Sequence, residues 1–270
     1  MDGYAAKVTG GPAVFAGLLG AAPTVRDDLL DDALDGDVGA LVAEALHACA
    51  AGSRDAVLLA LTVVDRASID DDCPALRPEA VRVLAGLCRP DQDVEVLVAA
   101  LPLFGVYVPG PEAAQRLAAM TGHPVAEVRA AAVSGMEYFA DEGSFPAAGG
   151  DFVERLARLL GGDPDAKVRL AAAEAFGMVE TWVATDRGWL PTVVEALSRA
   201  LDADPDPDVR AEAAENLAQM IALDDRQWAM VADTLRRHLD DADVRVAAWA
   251  LARVATLGDP EALDRLWALV

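Results

Sequence analysis

Aromatic side chains are scarce in this chain, at 5%, so any core must be filled by aliphatic residues and alanine. Cysteine occurs three times, at Cys49, Cys73 and Cys88, an odd count with no C-x-x-C pair. That argues against a disulfide framework and reads as reduced thiols packed as small apolar groups in a cytoplasmic protein. Lysine occurs only at Lys7 and Lys167, and 45 acids against 22 bases leave a formal charge of −23. A surface this acidic repels phosphate, which argues against nucleic acid and anionic membrane as partners. No stretch approaches the roughly 18 uncharged apolar residues of a membrane span, and the start Met-Asp-Gly-Tyr lacks the basic opening of a secretory signal. Valine, isoleucine and threonine nowhere alternate with polar residues, so no strand is expected. There is no glycine-rich phosphate loop, no G-x-S-x-G and no Cys–His neighbourhood. His47, His123 and His238 share no helix face at ligand spacing, so they are expected to be solvated or capping, with no metal and no cofactor.

What the chain does contain is a recurring phrase, Val-Arg followed by alanines broken by one larger apolar residue. It reads VRAAAVSGM from Val128, VRLAAAEAF from Val168, VRAEAAENL from Val209 and VRVAAWAL from Val244, at spacings of 40, 41 and 35 residues. Self-similarity on this scale means a solenoid. Turn signals precede three of the four: HPVAE from His123, DPDAK from Asp163 and DPDPD from Asp204, with Asp-Asp-Ala-Asp before the last. Asp suits an N-cap and Pro the first helical turn. Upstream lie FVERLARLL from Phe152, LPTVVEALSRAL from Leu190 and WAMVADTLRRHL from Trp228, whose apolar residues recur at helical steps. Each unit is thus helix, tight turn, alanine-rich helix, the alanines allowing neighbouring helices to approach closely.

Amphipathic helix, Asp-Pro-x-x-x, then Val-Arg-x-Ala-Ala is a pattern that resembles the HEAT repeat, and its short form is similar to the HEAT-like repeats of bilin lyase subunits. The resemblance is strong over residues 111–257. It implies an all-α, right-handed α-solenoid of about six helical hairpins. It also implies that Arg129, Arg169, Arg210 and Arg245 face turn acids of adjacent units, such as Asp163, Asp165, Asp206, Asp208 and Asp243. Ankyrin and tetratricopeptide signatures are absent.

Residues 1–23 read as a lead-in with a short helix over 13–20, followed by one solenoid over 24–270. Thr24, Asp37 and Ser53 are expected to cap successive helices. The hook continues backwards in degenerate form at Val94 and Val57, its arginine replaced by Glu95 and Leu58. Residues 24–104 are therefore divergent repeats, 111–257 regular ones, and 260–270 a C-terminal capping helix. The segments FGVYVPG before Pro111 and EGSFPAAGG before Asp151 are expected to break the helices. Phe104, Tyr107 and Phe145 there either display themselves for recognition or fold back to seal the groove between repeats.

For function, the resemblance raises enzymes as well as scaffolds. Di-iron hydroxylases of this kind carry His-Glu pairs, and here the three histidines are followed by Ala, Pro and Leu. DNA glycosylases with such repeats need a basic groove, the opposite of this balance. A non-enzymatic scaffold, cytoplasmic and bacterial, that binds a partner protein through an acidic concave face is the favoured expectation. Its contacts would be Glu137, Tyr138, Glu174, Trp182, Glu212, Glu215, Gln219, Trp249 and Arg253, on the hook helices. All five tryptophans, Trp182, Trp189, Trp228, Trp249 and Trp267, lie in the last third of the chain, and Trp249 stands where matching hooks carry Val133, Ala173 and Ala214. A basic helix or loop would suit such a face. Two alternatives stay open: an immunity-type antagonist or charge mimic acting on a basic nucleic-acid-acting protein, and a bilin-lyase-like enzyme subunit.

Overall fold

The computed structural model describes residues 14–67, 69, 73–108, 110–137, 149–182, 187–220 and 223–269. Among the described residues the chain is all-α, with no strand. It divides into two compact units, Met1–Val108 and Pro109–Val270.

Unit 1 opens with α1 (Val14–Gly20) and α2 (Pro23–Leu34), then pairs α3 (Val38–Ala51) with α4 (Arg54–Arg66) and α5 (Arg77–Leu87) with α6 (Val94–Tyr107). The second helices α4 and α6 pack together, as do the first helices α3 and α5, which makes a two-layer stack. Asp37 and Ser53 cap α3 and α4 through the backbone N–H groups of Ala40 and Ala56. Thr24 does not cap: α2 begins one residue earlier, with Pro23 in its first turn, where the ring's missing N–H costs nothing. FGVYVPG does not break the helix at Phe104 either. α6 runs through Pro102 to Tyr107, burying Phe104 (1% exposed) and Tyr107 (6%), whose hydroxyl donates to the Ala67 carbonyl at 3.4 Å. These two aromatics are packing residues; Phe145 lies outside the described residues.

Unit 2 repeats the plan with α7 (Pro111–Met120) and α8 (Ala126–Glu137), α9 (Gly149–Gly162) and α10 (Ala166–Trp182), α11 (Leu190–Ala203) and α12 (Pro207–Gln219), α13 (Asp225–Arg237) and α14 (Val244–Thr256), closed by α15 (Pro260–Leu269) against α14. The second helices α8, α10, α12 and α14 stack side by side, while α9, α11 and α13 form the other layer. The alanine of the hook explains the close stack. Ala132, Ala172, Ala213 and Ala250 stand at one position of successive second helices, all 0% exposed, and Ala60 and Ala100 hold that position in unit 1.

This register corrects three hook positions. Asp165 and Asp206 precede their helices by one residue and the buried Val168 and Val209 by three; Asp243 caps α14 in the same way through the Arg245 N–H, and three residues on stands Val246. Val246 is 0% exposed and Val244 57%, so Val246 is the hook valine and the arginine after it has become Ala247. Likewise Val96 (3%), three residues after Asp93, replaces Val94 (37%), and in α4 the matching residue after Ser53 is Ala56. A cap fixes helical phase more strictly than a dipeptide does, because its carboxylate can satisfy only the first N–H groups.

The arginine ladder forms between successive turns of unit 2. Arg129 clasps Asp163 with two bonds of 2.8 Å, Arg169 clasps Asp204 at 2.8 and 3.0 Å, and Arg210 reaches Asp241 at 3.6 Å. The acids are Asp163, Asp204 and Asp241, each of which also accepts the N–H two residues on. Asp165 and Asp206 instead cap their own helices. Arg245 lies outside the ladder and bonds Asp243 and Asp208, both at 2.7 Å, from the helix start. Burial pushes the Asp163 carboxyl up, but Arg129 and the Asp165 N–H outweigh it and hold it below the ordinary range. In a largely buried pair, loss of one partner costs about 3–5 kcal/mol.

Candidate functional site

The free face of the second helices in unit 2 carries the candidate residues. Positions six residues after the hook valine are Ser134, Glu174, Glu215 and Ala252; three residues after it are Ala131, Ala171, Glu212 and Trp249. Trp249 therefore matches Glu212 and not Ala214, since its hook valine is Val246. Glu137 stands half-buried at the end of α8, Glu174 exposed on α10, Glu212 and Glu215 half-buried on α12, and Gln219 exposed one turn further on. Tyr138 lies outside the described residues. Trp182 closes α10, and its side chain is not among those described.

Three adjacent helices thus bring carboxylates together. Burial, and then the charges of Glu174 and Glu212, push the Glu137 carboxyl up to about 7. Burial raises Glu174. Burial raises Glu212, with Glu215 and Glu174 adding to it, against one opposing hydrogen bond from Asn216. Among the described residues none of the four carboxylates has an ion pair, whereas the turn acids Asp163, Asp241 and Asp243 and Asp202 near the end of α11 all titrate below their ordinary range beside arginine or histidine. Those four aspartates are paired within the fold; among the described residues the acids of the face are not.

Asn216 braces this face and was not legible as a site residue. It is buried at 8% exposure, seven residues after the hook valine, where α8 and α10 carry Gly135 and Ala175. Its Nδ2 donates to the Ala173 carbonyl at 2.9 Å and to Glu212 Oε1 at 3.1 Å, tying α12 to α10 and fixing the Glu212 carboxylate. Gly177 makes room for it: an added Cβ there would sit 2.5 Å from Asn216 Oδ1. Gln219 Nε2 donates to Glu215 Oε1 at 2.9 Å and orients that carboxylate in turn.

The α14 end of the face is aromatic. Arg253 stacks on the Trp228 ring 4.1 Å from its centroid and donates to the Met220 carbonyl at 2.9 Å, so its charge is held by the fold. Trp249 is half-buried, Trp189 is half-buried, and Trp267 on α15 is 71% exposed. Of the histidines, His123 Nδ1 accepts the Val125 N–H at 3.2 Å, and His238 is the C-cap of α13. No group of three or more His, Cys, Asp or Glu able to hold a metal is found among the described residues, and no helix there is long and apolar enough to cross a membrane.

A family model described as HEAT repeats matches residues 113–218 and 194–270. Among solved structures, a designed armadillo repeat protein is similar at 18% identity and a TM-score of 0.55, covering 79% of this chain and 98% of its own. A second designed armadillo repeat protein, in complex with peptide (KR)4, is similar at 16% identity and a TM-score of 0.43, covering 94% of this chain and 98% of its own. No curated protein matches the sequence.

Proposed function

The chain belongs to the HEAT-repeat family, and from that premise we propose that it is a non-enzymatic scaffold whose unit 2 binds a basic segment of a partner protein. The bound segment lies along the face formed by α8, α10 and α12. One observation carries this reading: among the described residues Glu137, Glu174 and Glu212 gather without a countercharge, and Glu137 ionises only near 7. A fold that pairs Asp163, Asp204 and Asp241 with arginine yet leaves these carboxylates side by side keeps an unfavourable arrangement that a cationic ligand relieves, and such strained clusters are where binding sites arise. Arginine suits the site well, since its planar fork can span two carboxylates on neighbouring helices. Trp249 at the end of the face offers a surface for the aliphatic stem of the same segment. The cytoplasm is the compartment that suits three buried cysteines in a chain of this composition.

The test is a fluorescence anisotropy titration with a labelled arginine-rich peptide, comparing wild type with the Glu137→Gln, Glu174→Gln, Glu212→Gln variant. The reading requires binding that weakens with added salt and weakens at least about tenfold in the variant, the loss of roughly one charge-assisted contact or more. Equal affinity in the two proteins contradicts it. The formal charge of −23 also favours a second reading, in which the partner is itself a nucleic-acid-binding protein and the acidic face competes with its phosphate ligand. In that case an added oligonucleotide displaces the scaffold from its partner; displacement by neutral polymer alone rejects it.

A further inference from the structure

Among the described residues, His238 is the one histidine held between two carboxylates. It ends α13 with its side chain 14% exposed, its Nε2 2.9 Å from Asp202 Oδ1 and its Nδ1 3.1 Å from Asp241 Oδ2. Asp202 belongs to α11, in the preceding hairpin, and Asp241 to the turn before α14. The same position in α11 carries Ala200, and Gly161 of α9 replaces Asp202, so the earlier hairpins of unit 2 have no such arrangement. The surrounding charges are few. Arg237 bonds Asp202 at 2.7 and 3.0 Å, and Arg210 of α12 reaches Asp241 at 3.6 Å. Asp243 donates its N–H to Asp241, and the neighbouring Asp240 is taken by Arg265.

A neutral imidazole has one N–H and one lone pair, so it can donate to one of these carboxylates only; the other nitrogen would then point its lone pair at a carboxylate oxygen about 3 Å away. The imidazolium donates to both. We propose that His238 is a proton-dependent clamp that holds the α13–α14 hairpin against α11. Protonated, it bonds Asp202 of α11 and Asp241 of its own turn at once; deprotonated, it can donate to only one of them, and the last hairpin opens more readily. The clamp stands on one contact between hairpins, His238 to Asp202, and one within the last hairpin, His238 to Asp241, and does not depend on what the acidic face binds. Because α13 and α14 carry Trp228, Trp249 and Arg253, it would also set how firmly the aromatic end of that face is held.

Native-state hydrogen exchange of the whole protein, at about pH 6 and about pH 9 on either side of the histidine range and corrected for intrinsic exchange, tests this. The expected result is that opening of α13 and α14 rises roughly tenfold with pH, the loss of one charge-assisted hydrogen bond, while α8 and α10 hold constant. His238→Gln should abolish that pH dependence. An equal slope in the variant, or the same slope in α8 and α10, overturns the clamp. If His238→Gln fails to fold, long-range ¹H–¹⁵N spectra of the wild-type ring decide: two N–H groups at the lower pH support the clamp, and a single neutral tautomer rejects it.

Discussion

Replacing Glu137 by Gln should make the protein more stable and, at the same time, a poorer binder. Glu137 has an ordinary value of 4.5, and burial together with Glu174 and Glu212 raises it to about 7 in the fold. A carboxyl raised in the folded state leaves stability intact below 4.5, where both states are protonated. Stability is then lost progressively as pH rises toward about 7, because the unfolded chain ionises first. At about 1.4 kcal/mol per pH unit the full shift corresponds to roughly 3 kcal/mol. The side chain is only half-buried, so solvent screening reduces this to about 1–2 kcal/mol. In thermal and urea unfolding at about pH 8, Glu137→Gln should gain that amount, or roughly 3–6 °C in Tm; at about pH 4 the two proteins should coincide. The same variant should bind the arginine-rich peptide more weakly. A variant that is destabilised at pH 8, or equally changed at both pH values, would refute the claim that this carboxylate is held against its own solvation and its neighbours.

Further outcomes follow from the ladder and the stack. Arg169→Ala leaves Asp204, 5% exposed, without its clasp, and should cost about 3–5 kcal/mol in urea unfolding. Ala172→Leu forces a larger side chain into a site that is 0% exposed between second helices, and should cost about 1–3 kcal/mol without changing helix content by circular dichroism. Gly177→Ala should destabilise through its 2.5 Å approach to Asn216 Oδ1, and the double variant with Asn216→Ala should cost less than the two singles added, measured as a double-mutant cycle.

Much of this was legible because turns and helices here obey local rules. The Asp-Pro-Asp turns and the alanine runs placed α9 to α14, and the alternation of long amphipathic and alanine-rich helices identified the hairpins. The register of the divergent hooks was not legible from the Val-Arg dipeptide. Val244-Arg245 spells the hook, but phase is set by Asp243 capping the Arg245 N–H, which sends Val246 inward. The cap three residues upstream was the better signal, and it would also have moved Val94 to Val96. The ladder arginines were legible, yet their partners Asp204 and Asp241 were not, since each contact joins residues 31–35 apart and its choice depends on which turn acid is free of capping duty. Asn216 carried no sequence signal beyond a polar residue where other hooks have Gly135 and Ala175. On the acidic face, sequence could place Glu137, Glu174 and Glu212 on successive helices, but only stacked helices reveal that their charges meet without an ion pair among the described residues.

The central claim is tested most directly by a hydrogen-exchange footprint of an arginine-rich peptide on the intact protein. The account predicts slowed exchange confined to α8, α10 and α12 of unit 2, absent in the Glu137→Gln, Glu174→Gln, Glu212→Gln variant. Protection centred on the turn aspartates or on unit 1, and unchanged in that variant, would contradict it.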